Sequence, residues 1–367
     1  MTAKLHLTEG AMANLYIAST EAFCGKSAVA IGIGLMARKR GLVVGYMKPV
    51  SIGLEGSRGA EEDEDARFAA SVFEAREALG TVAPVCISRM ELEQILQGQV
   101  QRDFQAALRE AHRTVSQGKD LVLLEGAGNL REGYTVGLPA HVVARVVGAK
   151  ALVVVPHTMS LITDDALAAQ ATLGDCFLGV VINRVPRYRM RYVEETVRPF
   201  LARKGVKVYG VLPEEKVLQA VSVREITERL GGEVLCAEHA LDELVENLMV
   251  GAMSVDSALS YFRRLPNKAV ITGGDRPDVQ LAALETSTKC LILTGNLRPS
   301  PIILSRAEEI GVPMILVKTD TLTTVENISS FFGRTRFHQP KKVERFQELM
   351  AERFEIDELF RDLDLSL

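Results

Sequence analysis

No stretch of the 367-residue chain approaches the roughly 20 consecutive apolar residues that a membrane-spanning helix needs. The amino terminus carries Lys4, His6 and Glu9 without a long apolar core, so no signal peptide is expected. Excess positive charge is missing as well. A formal net charge of −4 gives no electrostatic reason to expect nucleic acid or an anionic membrane surface as partner. Cysteines are few and isolated: Cys24, Cys86, Cys176, Cys236 and Cys290 form no Cys-x-x-Cys pair. That argues against a zinc site or a disulfide framework and suits a reducing, cytoplasmic setting. No internal repeat or low-complexity tract is apparent.

What is present is an ordinary globular composition, 47% apolar and 25% charged. The length exceeds one ordinary core and predicts two domains with a tail. The chain is organised around residues 15–38. The apolar run Leu15-Tyr16-Ile17-Ala18 reads as a buried strand. A loop follows, Ser19-Thr20-Glu21-Ala22-Phe23-Cys24-Gly25-Lys26-Ser27, and then a helix-forming segment, Ala28 to Arg38. That order is what a phosphate-binding loop requires, because amides of the loop and of the first helical turn point at an anion and the helix dipole adds to the pull. Gly25 lets the backbone approach, Lys26 reaches the outer phosphates and the Ser27 hydroxyl can ligate Mg²⁺. One departure is plain: the usual motif has glycine five residues before Gly25, where this chain has Thr20.

Further strand candidates are Val43–Met47, Leu121–Leu124, Ala151–Val155, Leu178–Ile182 and Val208–Leu212. Several are continuous apolar runs, as expected of strands covered on both faces. Ser88–Gln117, Asp164–Thr172 and Tyr192–Lys204 read as helical. The pattern predicts an α/β fold, a parallel sheet flanked by helices, with ligands at the carboxyl ends of the strands. Lys48-Pro49-Val50-Ser51 follows the second strand, then a glycine-rich loop and the acidic run Glu61-Glu62-Asp63-Glu64-Asp65, which by spacing alone reads as a solvated loop. Glu125 ends the third strand before Gly126-Ala127-Gly128, where it is placed either to hold Mg²⁺ or to cap a turn, and the small residues leave room for a ligand. Asn183 ends the fifth, suited to a base edge or to a turn.

In this order, Ser19–Ser27, Lys48-Pro49-Val50, Asp65-Ala66, Glu125-Gly126-Ala127-Gly128 and Asn183 resemble the dethiobiotin synthetase superfamily of P-loop proteins over residues 13–237. The resemblance implies a P-loop NTPase-type fold with ATP and Mg²⁺ as ligands. It implies nucleotide contact by Thr20, Glu21, Cys24, Gly25, Lys26, Ser27, Ala28, Asn183 and Pro213, with Asn183 reading the base. Ser27, Asp65 and Glu125 would gather the metal; Lys26 and Lys48 would be the catalytic lysines, Lys48 facing the substrate. The family's loop begins Gly-Thr-Asp-Thr, against Ser19-Thr20-Glu21-Ala22 here, and the threonine that faces the reacting phosphate has become Ala22. The segment 129–134 departs from the synthetase substrate loop too. Gly210–Glu215 and Ser222–Ile226 resemble the amino-terminal, non-catalytic region of long bacterial phosphotransacetylases.

A second, smaller α/β domain is expected over residues 238–335, with Leu241–Met249 helical, strands at Ala269–Thr272, Leu291–Thr294 and Met314–Val317, and helices at Val279–Ser287 and Ile302–Ile310. The segment Thr272-Gly273-Gly274-Asp275-Arg276-Pro277 reads as a helix start, or as a second ligand site in which Gly273, Gly274, Asp275 and Arg276 hold an anion or nucleotide. This segment, Cys290–Gly295 and Asp320–Val325 resemble the DRTGG domain, whose usual company implies ligand sensing or subunit contact. Residues 1–237, 238–335 and 336–367 are thus read as P-loop domain, DRTGG domain and helical tail. In the tail, Phe346, Leu349, Met350 and Phe354 are spaced to pack on the body or a partner, with a frayed acidic end.

The acetyl-transfer domain of a full phosphotransacetylase has no counterpart in the sequence, so the resemblance does not imply acetyl phosphate chemistry. Three functions are expected to compete: an ATP-binding regulatory or adaptor protein, an ATP-dependent ligase acting on a carboxylate or carbamate, and an assembly protein with a vestigial P-loop. Expected partners are an adenine nucleotide and either a second copy, as a homodimer, or an enzyme of acetate metabolism.

Overall fold

The computed structural model describes residues 12–54, 63–158, 161–333 and 337–365. The glycine-rich loop after Leu54, Glu61-Glu62 of the acidic run, and Lys4, His6 and Glu9 lie outside the described residues. The chain divides into two compact units, Met1–Glu214 with Arg336–Leu367, and Glu215–Thr335.

The first unit contains strands β1 (Ala13–Ser19), β2 (Val44–Met47), β3 (Val50–Leu54), β4 (Val85–Ser88), β5 (Leu121–Glu125), β6 (Lys150–Pro156), β7 (Phe177–Val185) and β8 (Val208–Pro213). Six of them form one parallel sheet in the order β2-β5-β1-β6-β7-β8, while β3 and β4 pair separately. Leu15, Ile17, Leu121, Leu123, Leu152 and Val154 are buried on one face, and Tyr16, Val122, Leu124, Val153 and Val155 on the other. Both faces are covered, which is why these strands read as unbroken apolar runs rather than alternating ones.

Helix α1 (Lys26–Lys39) enters the interior directly after the loop, and Val29, Ala30, Ile31 and Ile33 on it are buried. The segment 88–117 is not one helix but two, Arg89–Leu96 and Phe104–Val115. Asp103 caps the second by accepting from the Ala106 amide, a restart that ends any continuous helical reading. The tail helix Pro340–Arg353 belongs to this unit. Phe346 and Met350 press on Gly32 of α1, and Phe346, Leu349, Met350 and Phe354 are all buried. Its acidic end is not frayed: Arg40 pairs with Asp357, and Lys207 with Glu358 and Asp362. Arg198 pairs with Glu355, whose amide donates to Tyr209 O.

The second unit holds β9 (Val221–Ser222), β10 (Glu233–Cys236), β11 (Leu244–Val245), β12 (Asn247–Val250), β13 (Lys268–Gly273), β14 (Thr288–Thr294) and β15 (Met314–Leu316). Its five-stranded sheet runs β10-β15-β14-β13-β12, parallel except for the antiparallel edge strand β10. Helices Pro277–Leu284 and Pro301–Ile310 link the parallel strands. Leu241–Met249 is not helical. Leu244-Val245 pairs antiparallel with β9, and β12 lies parallel to β13, so backbone partners in two sheets override the helical spacing of its apolar residues. No helix among the described residues is long and apolar enough to cross a membrane.

Candidate nucleotide site

The site lies at the carboxyl ends of β1, β2, β5 and β7. Between β1 and α1 the chain must reverse within a few residues, and Gly25 does this in the left-handed region at φ 100°. A Cβ there would strike the amide of Asn183, which is pressed against the loop and donates from Nδ2 to Cys24 O at 2.8 Å. Among the described residues, the backbone amides of Gly25, Lys26, Ser27 and Ala28 find no acceptor. They form the set of unspent donors that a helix amino terminus presents to an anion. Cys24 is buried, with its thiol toward Val154 O, as a small apolar filler would be. Thr20 Oγ1 is buried without a partner among the described residues, whereas Glu21 is exposed.

From the first turn of α1, Lys26 Nζ reaches Gly128 O at 3.4 Å, and Ser27 Oγ donates to Glu125 Oε1 at 2.7 Å. The buried Tyr46 hydroxyl donates to Glu125 Oε2 at 2.8 Å; burial and then the neighbouring Glu125 hold the phenol above its ordinary pKa, so it remains a donor. Lys48 Nζ sits among three carboxylates: Asp63 and Asp65 at 3.0 Å each, and Glu125 at 3.8 Å. Burial alone would lower its pKa, but Glu125, Asp65 and Asp63 outweigh that and hold the ammonium well above the ordinary lysine value. Asp63 is not part of a solvated run. It caps the helix α2 (Glu64–Val72) by accepting from the Ala66 amide, and it also accepts from Ser51 Oγ.

The second oxygen of Asp65 is held by His338 Nε2 at 3.0 Å, and the imidazole lies 4.7 Å from the ring of Phe68 between centroids. Burial would raise the Asp65 pKa, but the His338 hydrogen bond and then Lys48 hold it well below the usual carboxylate range. Glu132 uses part of the space beside the small residues after Glu125. Glu132 Oε2 accepts from the Gly128 amide at 2.7 Å, and a Cβ on Gly128 would collide with that carboxylate. Pro213 is buried at the end of β8, in register with Val185 of β7.

The structure therefore brings Gly25, Lys26, Ser27, Glu125 and Asn183 together through neighbouring strands, and Lys48 joins Asp65 to them. Among the described residues no three His, Cys, Asp or Glu side chains group to hold a metal. A hydroxyl beside one carboxylate fits Mg²⁺ nonetheless, since that ion takes one or two protein ligands and fills its shell with water and phosphate oxygens. Tyr46, Asp63, Glu132 and His338 are members of the site that the sequence reading missed. In the second unit, Arg276 donates to Met253 O at 3.0 Å and pairs with Asp278 at 3.1 Å, just before the helix that opens with Pro277.

A glycine-turned loop between a parallel strand and a buried helix, with an inward lysine and a hydroxyl on a strand-end carboxylate, defines a P-loop nucleotide-binding class of site. Residues 13–222 match the family described as the AAA domain, more than half of the chain, and the chain belongs to that family. Residues 225–331 match the DRTGG domain. A phosphate acetyltransferase of Nitratidesulfovibrio vulgaris is 23% identical over 368 residues, covering 94% of this chain and 51% of that protein. An ATP-dependent dethiobiotin synthetase of Aromatoleum aromaticum is 27% identical over 206 residues, covering 54% of this chain and 89% of that enzyme. The likeness to the amino-terminal region of phosphotransacetylases is thus borne out, and the chain spans about half the length of the acetyltransferases it matches. Among solved structures, the CBS and DRTGG domains of the regulatory region of Clostridium perfringens pyrophosphatase, complexed with its activator diadenosine tetraphosphate, cover 43% of this chain and 82% of that one at 17% identity and a TM-score of 0.29.

Proposed function

We propose that the protein binds Mg–ATP in its first unit and acts as a regulatory or adaptor protein. The observation that carries this reading is the row of unspent amides from Gly25 to Ala28, backed by Lys26 and by the Ser27–Glu125 pair. Ser27 and Glu125 would hold the cation, and Asn183, fixed against the loop, would meet the base. The pairing of a P-loop unit with a DRTGG domain supports an output through conformation, toward a second copy or an enzyme of acetate metabolism. The setting proposed is cytoplasmic.

A second reading, an ATP-dependent ligase, is favoured by the synthetase likeness and by the retention of Lys48 beside Glu125. Charge weighs against it. An acid substrate would approach a lysine already compensated by three carboxylates, past Glu132, and would meet Ala22 where the family has a hydroxyl. Calorimetry with ATP and ADP in excess Mg²⁺, followed by phosphate-release assays with and without carboxylic acids, separates the readings. Binding with slow, acid-independent release is expected. Brisk acid-stimulated release abolished by Lys26→Ala would establish the ligase, and no heat from folded protein would leave an assembly role.

A further inference from the structure

The segment that follows the second unit ends in the nucleotide site. Residues 337–365 belong to the first unit, anchored by Phe337 edge-on to Phe346 and by the buried Lys342, Phe346 and Met350. This anchoring sets His338 at hydrogen-bond distance from Asp65, 273 positions away in sequence. An ionised carboxylate only accepts, so the imidazole donates from Nε2, and the ring lies tilted against that of Phe68. Asp65 has its other oxygen on Lys48, and Lys48 in turn faces Glu125, the partner of Ser27. One uninterrupted polar chain therefore leads from the tail to the hydroxyl of the phosphate loop.

We infer that His338 is a positioning residue of the nucleotide site: by holding Asp65 it fixes Lys48 against Glu125 and so sets where the cation of Mg–ATP is received. This rests on the Mg–ATP reading above. Groups bonded directly to metal ligands typically contribute about ten- to a hundredfold in metal affinity, and His338, which reaches Glu125 through Asp65 and Lys48, is expected to contribute less. The tail is then part of the binding apparatus rather than a brace on α1.

The test compares Mg–ATP and Mg-free ATP titrations by calorimetry for the full chain, His338→Ala, His338→Gln, Asp65→Asn and the double variant His338→Ala/Asp65→Asn. His338→Ala is expected to weaken Mg–ATP binding by about threefold to tenfold, with a smaller change for Mg-free ATP. His338→Gln, which keeps a donor at similar reach, should recover most of the loss. In the Asp65→Asn background His338→Ala should cost nothing further. Equal affinities for the wild-type protein and His338→Ala overturn the inference and leave the Mg–ATP reading standing. A loss that persists undiminished in the Asp65→Asn background also overturns it, because the histidine would then act through packing alone. If the wild-type protein itself takes no nucleotide, the Mg–ATP reading falls and the role given to His338 falls with it. Hydrogen exchange of residues 337–345 in the ligand-free protein reports the contact separately: faster exchange is expected in Asp65→Asn, and unchanged exchange denies the contact.

Discussion

Each unit presents a glycine-containing loop between a parallel strand and a helix, and the two loops use their cationic side chains in different ways. The loop after β1 leaves the amides of Gly25 to Ala28 without acceptors among the described residues and sends Lys26 inward. The loop after β13 has its side-chain donors engaged, although Gln280 Oε1 is buried without a partner and the Gly274 and Asp275 amides find no acceptor among the described residues. Gln280 Nε2 donates to the carbonyls of Gly273 and Gly274, the Arg276 amide closes a turn on Gly273 O, and the Arg276 guanidinium is shared between Met253 O and Asp278. The glycines differ in the same sense. Gly25 is needed for a left-handed turn beside Asn183, whereas Gly274 is needed because a Cβ would strike the backbone of Leu297. The same strand–loop–helix grammar therefore yields a loop whose lysine turns inward beside four unspent amides in one unit, and a corner whose arginine is tied to its own backbone and a neighbouring carboxylate in the other. What distinguishes them is the balance of donors and acceptors, which motif spelling does not show.

The sharpest way to break this contrast is Lys26→Ala. Removing the one ammonium beside the unspent amides is expected to weaken Mg–ATP binding at least about 100-fold, or about 2.8 kcal/mol, with the far-ultraviolet spectrum unchanged. A smaller loss in calorimetry would mean that the loop does not receive phosphate. On the other side, Gly274→Ala should act on stability alone. Forcing a methyl group against Leu297 is expected to cost about 2 kcal/mol in denaturant unfolding of the second unit, with no change in nucleotide affinity. A loss of affinity without a loss of stability would make that corner a binding loop after all.

How much of this could be read from the residues depends on how local the cause is. The main sheet was legible because strands buried on both faces need continuous apolar runs, and stretches such as Leu121–Leu124 and Leu152–Val155 are too short to be read as anything but strands in an alternating α/β pattern. Lys26, Ser27 and Glu125 could be placed because the phosphate loop and the next strand end are tied by fixed topology. Leu241–Met249 misled because Leu241, Leu244, Val245 and Leu248 follow helical spacing, while the pairing that decides the matter comes from β9 and β13. Asp63 was hidden inside an acidic run whose bland reading is solvation, although it is buried as a helix cap. His338 carried no local signal at all, since its partner Asp65 is brought to it only by the packing of the tail.

The buried amine of the second unit offers a comparison through pH. Lys48 in the first unit is surrounded by carboxylates, whereas Lys268 has only Thr286 Oγ1 at 2.9 Å and Ser287 O at 3.0 Å as acceptors among the described residues. Burial pushes its pKa down to about 8 from an ordinary 10.5. The folded second unit then releases this proton before the unfolded chain does, so unfolded protein binds more protons between those values and stability rises with pH across the window. The gain attributable to Lys268 is expected to reach about 1–2 kcal/mol between pH 8 and pH 10. It should vanish in Lys268→Met, compared by urea titrations at each pH. Identical pH slopes for the two proteins would show that the amine is as protonated in the fold as outside it.

The smallest expected effect is the most discriminating for the second loop. If Arg276 received an anion, its guanidinium would have to give up both the Met253 carbonyl and Asp278, exchanging contacts already made for equivalent ones to a ligand. Such an exchange leaves little net gain, because a donor that is satisfied before binding contributes only the difference between two hydrogen bonds. The structure thus favours the helix-start role, in which Arg276 precedes Pro277 and tethers the loop to residue 253. Arg276→Ala is accordingly expected to change the affinity for Mg–ATP by less than about twofold, with a single binding event before and after substitution. A wild-type isotherm with two nucleotide events, of which Arg276→Ala removes one, would break the comparison. It would show that a corner whose arginine is already engaged can still open for a ligand.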